Sequence, residues 1–258
     1  MSIPKTSMKK TLLLLSSFLS LTIYAQDKIE AERPSESLSP KTVVKKSFQA
    51  EIGFRKTQEN EQDKVWRQPN ALFRYGVFDK LELRLETTVA DEKLVSENEF
   101  KKGLKPVEIG LKLNFFETKN EAFSSSIVGQ IGIPKFASPD HKIDKAYNRV
   151  RLLFENKLSE KLKLNYNVGS EWDSEDQEQN WMYSFTPEFE ISDKWESYVE
   201  VYGFAKKGKT PEDVFDAGIA YFVSKNSKLD LSGGVGLNEE SPHYFVAAGI
   251  SFRFGGKK

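Results

Sequence analysis

Residues 216–254 read DAGIAYFVSKNSKLDLSGGVGLNEESPHYFVAAGISFRF, and the alternation within this stretch decides the fold. Phe215, Ala217, Ile219, Tyr221 and Val223 take one parity and Asp216, Gly218 and Ala220 the other, the period of two expected of a strand with unlike faces. After a polar turn at 224–227, Leu229, Leu231, Val235 and Leu237 alternate with Lys228, Asp230, Ser232, Gly234 and Gly236. After 238–242, Tyr244, Val246, Ala248, Ile250, Phe252 and Phe254 alternate with His243, Gly249, Ser251 and Arg253. A soluble sandwich would turn the apolar set into a core, whereas a membrane barrel turns it to lipid and the small, charged set to the lumen. Tyr and Phe at the strand ends of the apolar face, with a repeating Gly, Ser, Asp and Arg set opposite, fit a barrel with aromatic girdles.

The same alternation runs back through the chain. Phe48, Ala50, Ile52 and Phe54 begin it. The next strand, near 64–76, is irregular: Pro69 lies inside it and Trp66 falls on the parity of Arg74, so a local bulge is expected. Leu81, Leu83 and Leu85 alternate with Glu82, Arg84 and Glu86, and a charged loop is expected over 91–102. Further strands follow near 107–115, 123–133, 149–155, 162–172, 181–189 and 195–203. Every second connection is a short turn and the others are mostly longer and more charged. Outer-membrane barrels sort their connections in this way, so the expected fold is all-β: a closed antiparallel up-and-down transmembrane β-barrel of about twelve strands.

Met8, Lys9 and Lys10, an apolar run over 11–23 and a small residue at Ala25 read as an export signal over 1–25, too short for a membrane-spanning helix. The segment 26–46 is charged, carries Arg33-Pro34 and Ser39-Pro40, and is expected to stand before the barrel as a periplasmic segment; the barrel is expected over 47–254 and a short tail over 255–258. The bacterial outer membrane is the expected location, with membrane lipid as partner.

Lysine and arginine number 38, as do aspartate and glutamate, and the two signs are interleaved, so no electrostatic footprint for nucleic acid is present. With no cysteine, disulfides, thiolate metal sites and a cysteine nucleophile are excluded. Two histidines, His141 and His243, offer little for a metal cluster, and neither sits on a strand face beside a serine. No cofactor, metal or catalytic residue is expected, and the four tryptophans fall near strand ends as girdle residues.

The inward parity collects charges of both signs: Glu51, Arg55, Arg74, Glu82, Arg84, Glu86, Glu108, Lys112, Arg149, Arg151, Glu155, Glu200, Asp216, Asp230 and Arg253. Buried charges must be paired or hydrated, so these either form ion-pair networks that fill the lumen or line water. The ending with Gly249, Phe252 and Phe254 looks like the terminal signal read by the barrel-assembly machinery, although Ala247 replaces the usual polar residue and four residues follow.

With the strands placed, the chain resembles the MetA-pathway phenol-degradation family of bacterial outer-membrane proteins. The resemblance is carried by Ala217-Gly218-Ile219-Ala220-Tyr221, Leu229-Asp230-Leu231-Ser232-Gly233-Gly234 and 244–254, with earlier echoes at Arg33-Pro34, Gln49-Ala50-Glu51, Arg74-Tyr75-Gly76, 81–84 and 200–203. It implies an outer-membrane barrel that moves small molecules, as a passive channel or transporter of unnamed substrate. Two other functions remain open at this point: a lipid-modifying enzyme on the barrel wall, and a structural or adhesive barrel without conductance.

Overall fold

A computed structural model describes residues 28–95, 98–172 and 178–255. The export signal expected over 1–25 and the last three residues of the tail lie outside the described residues. The chain forms β1 (Ser47–Gln58), β2 (Lys64–Phe78), β3 (Leu81–Leu94), β4 (Glu99–Leu104), β5 (Val107–Glu117), β6 (Phe123–Ile133), β7 (Tyr147–Ser159), β8 (Leu162–Trp172), β9 (Gln179–Ser192), β10 (Trp195–Lys206), β11 (Glu212–Ser224), β12 (Ser227–Gly236) and β13 (Tyr244–Gly255). Each strand pairs antiparallel with its neighbours, and β13 closes on β1 with Phe254 opposite Phe48 and Gly249 opposite Gly53.

The thirteen strands make twelve staves, because β4 and β5 are two halves of one. The far half of β3 pairs with β4 and its near half with β5, and Lys105-Pro106 interrupts the stave between them. Proline brings no N–H to the ladder, so pairing lapses there and resumes in the same direction. The charged loop expected over 91–102 is largely strand. Asp91 stands opposite Lys102 and Glu92 opposite Lys101, so the charges that suggest a loop become cross-strand pairs of opposite sign.

Connections at one rim are tight turns, such as Asp79-Lys80 and Lys225-Asn226. Those at the other are longer, the longest carrying two short 3-10 turns, Pro134–Phe136 and Pro139–His141. The burial pattern is inverted relative to a soluble protein. Leu229, Leu231, Val235, Val246 and Ile250 are exposed on the outer wall while Lys228, Asp230, Ser232, Ser251 and Arg253, their alternates, are buried. Leu231 is 59% exposed and Arg74 only 1%. The largest fully buried side chains include Arg74, Lys112, Glu51, Glu82 and Glu200, and the buried apolar cluster found among the described residues is small: Tyr202, Val214, Phe245 and Ala247, with Phe204 against it. A twelve-stave transmembrane β-barrel built this way meets lipid with its leucines and holds charge inside.

Candidate functional site: a charged lumen entered by its own N-terminal segment

The register of β1, β2 and β3 sets Arg74 opposite Gln49 on one side and opposite Arg84 on the other, with Glu51 and Glu82 each two residues along, on the same inward face. Arg74 thereby becomes a hub. Its Nε donates to Glu82 at 2.9 Å, Nη1 to Glu51 at 3.0 Å, and Nη2 lies 3.1 Å from Glu32. Arg84 reaches Glu82 at 2.9 Å and Glu32 at 3.1 Å, and Lys112 from β5 donates to Glu32 and to the Ser39 carbonyl. Five of these ions come from the wall and one, Glu32, does not. Taking such charges out of water is costly unless each is paired and hydrogen-bonded, so the network is stable only as a set.

Glu32 belongs to the N-terminal segment that the sequence places before the barrel. Residues 28–46 fold into the lumen. The segment enters beside the β11–β12 turn, where the Ile29 N–H donates to the Lys225 carbonyl, and Lys28 pairs with Glu190. At mid-height the Glu32 and Arg33 N–H groups donate to Glu51, and Arg33 makes two contacts with Asp230, at 2.9 and 3.3 Å. The chain then crosses the barrel. The Glu36 and Ser37 N–H groups donate to the two oxygens of Glu200, and Leu38 exchanges hydrogen bonds with Asn167. It returns along the opposite wall, with the Pro40 carbonyl accepting from Asn114 and Ser126 and the Val43 N–H donating to Glu82. The physical reason is satisfaction: a backbone without secondary structure carries N–H and C=O groups that must find partners when buried, and the inward carboxylates and amides supply them.

Two glycines make room for this. Gly53 on β1 and Gly249 on β13 are paired, Asp230 on β12 is opposite Gly249, and the Arg33 guanidinium lies across the three. A Cβ at either glycine would overlap the guanidinium. Gly249, read from the sequence as part of an assembly signal, thus has a packing role of its own.

Above the segment the lumen widens toward the long loops. A cavity of about 170 Å³ lies between the segment and the wall, lined by Arg55, Arg67, Arg149 and Arg151 among others, and it shares Arg67, Arg149 and Arg151 with a vestibule of about 540 Å³. Arg149 binds Glu171 at 3.0 Å and Glu108 at 3.4 Å; Arg151 binds Glu36 at 2.9 Å. Glu86 accepts from Asn70 and Gln130, and Glu108 from Tyr147. Arg55 donates to the Tyr202 hydroxyl at 3.1 Å and stacks over Phe245, 3.6 Å from the ring centre.

The other inward charges named from the sequence are placed as follows. Glu155 is buried, Asp216 accepts from the Tyr198 hydroxyl at 2.8 Å, and Arg253 binds Asn226 in the tight turn below it. The three elements of the network around Arg74, the vestibule and the Glu200 cross-tie are therefore brought together, while Arg253 stands at the rim. Several residues with lumenal partners are not among the inward charges singled out from the sequence. Lys163 and Lys228 pair with Glu30 and Glu196, and Tyr147, Tyr198 and Tyr202 each bind an inward charge. Arg67 is the most informative miss. The register of β2 slips between Arg67 and Asn70, around Pro69, so Trp66 is exposed on the wall and Arg67 lines the cavity, the reverse of strict alternation from Arg74. His141 is buried in the 139–141 turn, and among the described residues no hydrogen bond joins either imidazole to a serine.

The described residues hold no group of His, Cys, Asp and Glu suited to a metal ion. Comparison with curated proteins finds no match. Among solved structures, the chain is similar to an outer membrane channel from Pseudomonas putida F1, with a TM-score of 0.67 at 10% identity, covering 86% of this chain and 99% of that one. It is also similar to the KdgM porin solved with disordered oligogalacturonate, with a TM-score of 0.56 at 13% identity, covering 80% and 99%, and to the NanC porin, with 0.55 at 7%, covering 80% and 98%. At these identities the likeness is one of fold. The family model described as "Putative MetA-pathway of phenol degradation" matches residues 31–254, from the start of the lumenal segment to the last aromatic residue of β13, and the chain belongs to that family.

Proposed function

We propose that this chain is a passive outer-membrane channel for small polar or charged molecules, throttled from within by residues 28–46, and that it moves solutes rather than transforming them. The observation that carries the reading is the division of the lumen: an open vestibule of about 540 Å³ lined by ions toward the long loops, and a lower half in which the chain's own segment takes up the wall's hydrogen-bonding groups. An interior of paired charge offers water and polar solutes a lower barrier than lipid does, and offers apolar ones little. Export through the 1–25 signal and insertion by the assembly machinery reading Gly249, Phe252 and Phe254 complete the proposal.

The test is conductance of the purified full-length mature chain in planar bilayers, beside a variant lacking residues 28–41. Small, reproducible steps are expected from the former and several-fold larger ones from the latter. Folded protein that is silent in both forms overturns the channel reading. It would favour the structural barrel instead, for which the ion network around Arg74 is the specific argument.

A further inference from the structure

We propose that Arg55 and Arg67 form a binding site for small oxyanions, a carboxylate or phosphate group carried on a small solute, in the lumen just above the N-terminal segment. The two arginines are directly opposite each other on β1 and β2. Like charges in such a position repel, and in this barrel other inward cations are answered by carboxylates: Arg74 by three, Arg84 by two, Arg149 by two, Arg151 and Lys112 by one each. Arg55 and Arg67 have none within ion-pair distance among the described residues. Arg55 has only the Tyr202 hydroxyl and the Phe245 ring, and its Nε is buried without a partner.

Acids acting on the pair include Glu36, Glu59, Glu92 and Asp216, and the cavity is also lined by Glu32 and Glu51, both bound by Arg74, and by Glu86, which accepts from Asn70 and Gln130. Glu36 is bound by Arg151, Glu92 by Lys105 and Asp216 by Tyr198, while Glu59 sits on the β1–β2 loop outside ion-pair distance. Among the described residues the positive pair is thus left without an answering carboxylate of its own. Both guanidinium groups line the cavity of about 170 Å³, which opens into the vestibule through residues the two spaces share. That space is below the roughly 300 Å³ at which pockets for drug-sized molecules begin, and it suits a small anion. A planar guanidinium presents paired N–H donors that match an oxyanion, and two of them facing one space give the geometry a lysine pair would not. Gln68-Pro69 brings this about, because the bulge is what turns Arg67 inward to meet Arg55.

The site rests on the lumen being accessible to solutes, and binding is measured apart from conduction. Titration calorimetry on the detergent-purified mature chain uses benzoate, inorganic phosphate and the neutral analogue benzyl alcohol. Saturable binding of benzoate or of phosphate is expected, and none of benzyl alcohol; competition between benzoate and phosphate tells which oxyanion the site prefers. R55Q/R67Q is expected to weaken binding by about tenfold or more, the fold-change that follows from losing charge-assisted hydrogen bonds. R67Q alone, which removes no side-chain hydrogen bond to any of the described residues, carries the test should the double variant not fold. Wild-type protein that binds neither anion, or a folded variant that binds as wild type does, overturns the proposal. Binding in a protein that stays silent in bilayers rejects the channel and keeps the site; conductance without binding does the reverse.

Discussion

Arg74 is 1% exposed and answers Glu32, Glu51 and Glu82 at once, so its side chain cannot be removed without leaving three carboxylates in a space built for a cation. Breaking a buried ion pair by deleting one partner costs about 3–5 kcal/mol. Arg74→Met is expected to cost at least that much, read as a lowered urea midpoint of tryptophan fluorescence in refolded protein; a shift below about 1 kcal/mol would mean that water already hydrates these acids. Gly53 tests a different quantity. Gly53→Val sets a side chain where the Arg33 guanidinium lies and forces it off Asp230, whose side chain is fully buried. The wall itself tolerates valine, which suits a strand. The barrel is therefore expected to fold while the segment loosens, so single-channel recordings should show larger and noisier steps; steps identical to wild type would mean that Arg33 does not hold the segment in place.

At the scale of elements, legibility in the sequence follows from period. The alternation of β3 or β12 can be read because each residue's surroundings follow from its parity. β2 breaks that rule at Pro69, and the break is visible as an irregularity whose consequence, the inward turn of Arg67, depends on where the slip falls. The N-terminal segment was illegible for a deeper reason. It has no repeating pattern, and its partners, such as Glu200 for the Ser37 N–H and Asn167 for Leu38, are scattered over the wall at sequence separations that no local rule connects. Below mid-height the inward charges are paired in a network completed by the segment, and above it they face a vestibule. The β2 slip is testable because the chain has no cysteine of its own. Arg67→Cys in liposomes is expected to react with a charged, water-soluble thiol reagent and Trp66→Cys to be shielded by lipid. The opposite pattern would put the slip elsewhere.

For the whole molecule, the argument turns on which medium touches the leucines. An exposed Leu231 on a soluble surface can become arginine at almost no cost, since substitutions on a water-facing surface stay within about ±0.5 kcal/mol. On a barrel wall the same change brings a charge into hydrocarbon, at about 2–4 kcal/mol near the midplane and about 0–1 near either interface. Leu231 sits midway along β12, and Leu237 just beyond its long-loop end, both on the outer wall. Leu231→Arg is therefore expected to lower the urea stability of the lipid-refolded barrel by about 2–4 kcal/mol, and Leu237→Arg by about 1 kcal/mol or less. The difference between the two carries the weight, because a local packing defect would not depend on height along the strand. Equal, small effects at both positions would mean that water bathes the outer wall. The charged interior would then be a polar core rather than a path, and the conduction and anion-binding proposals would lose their common premise.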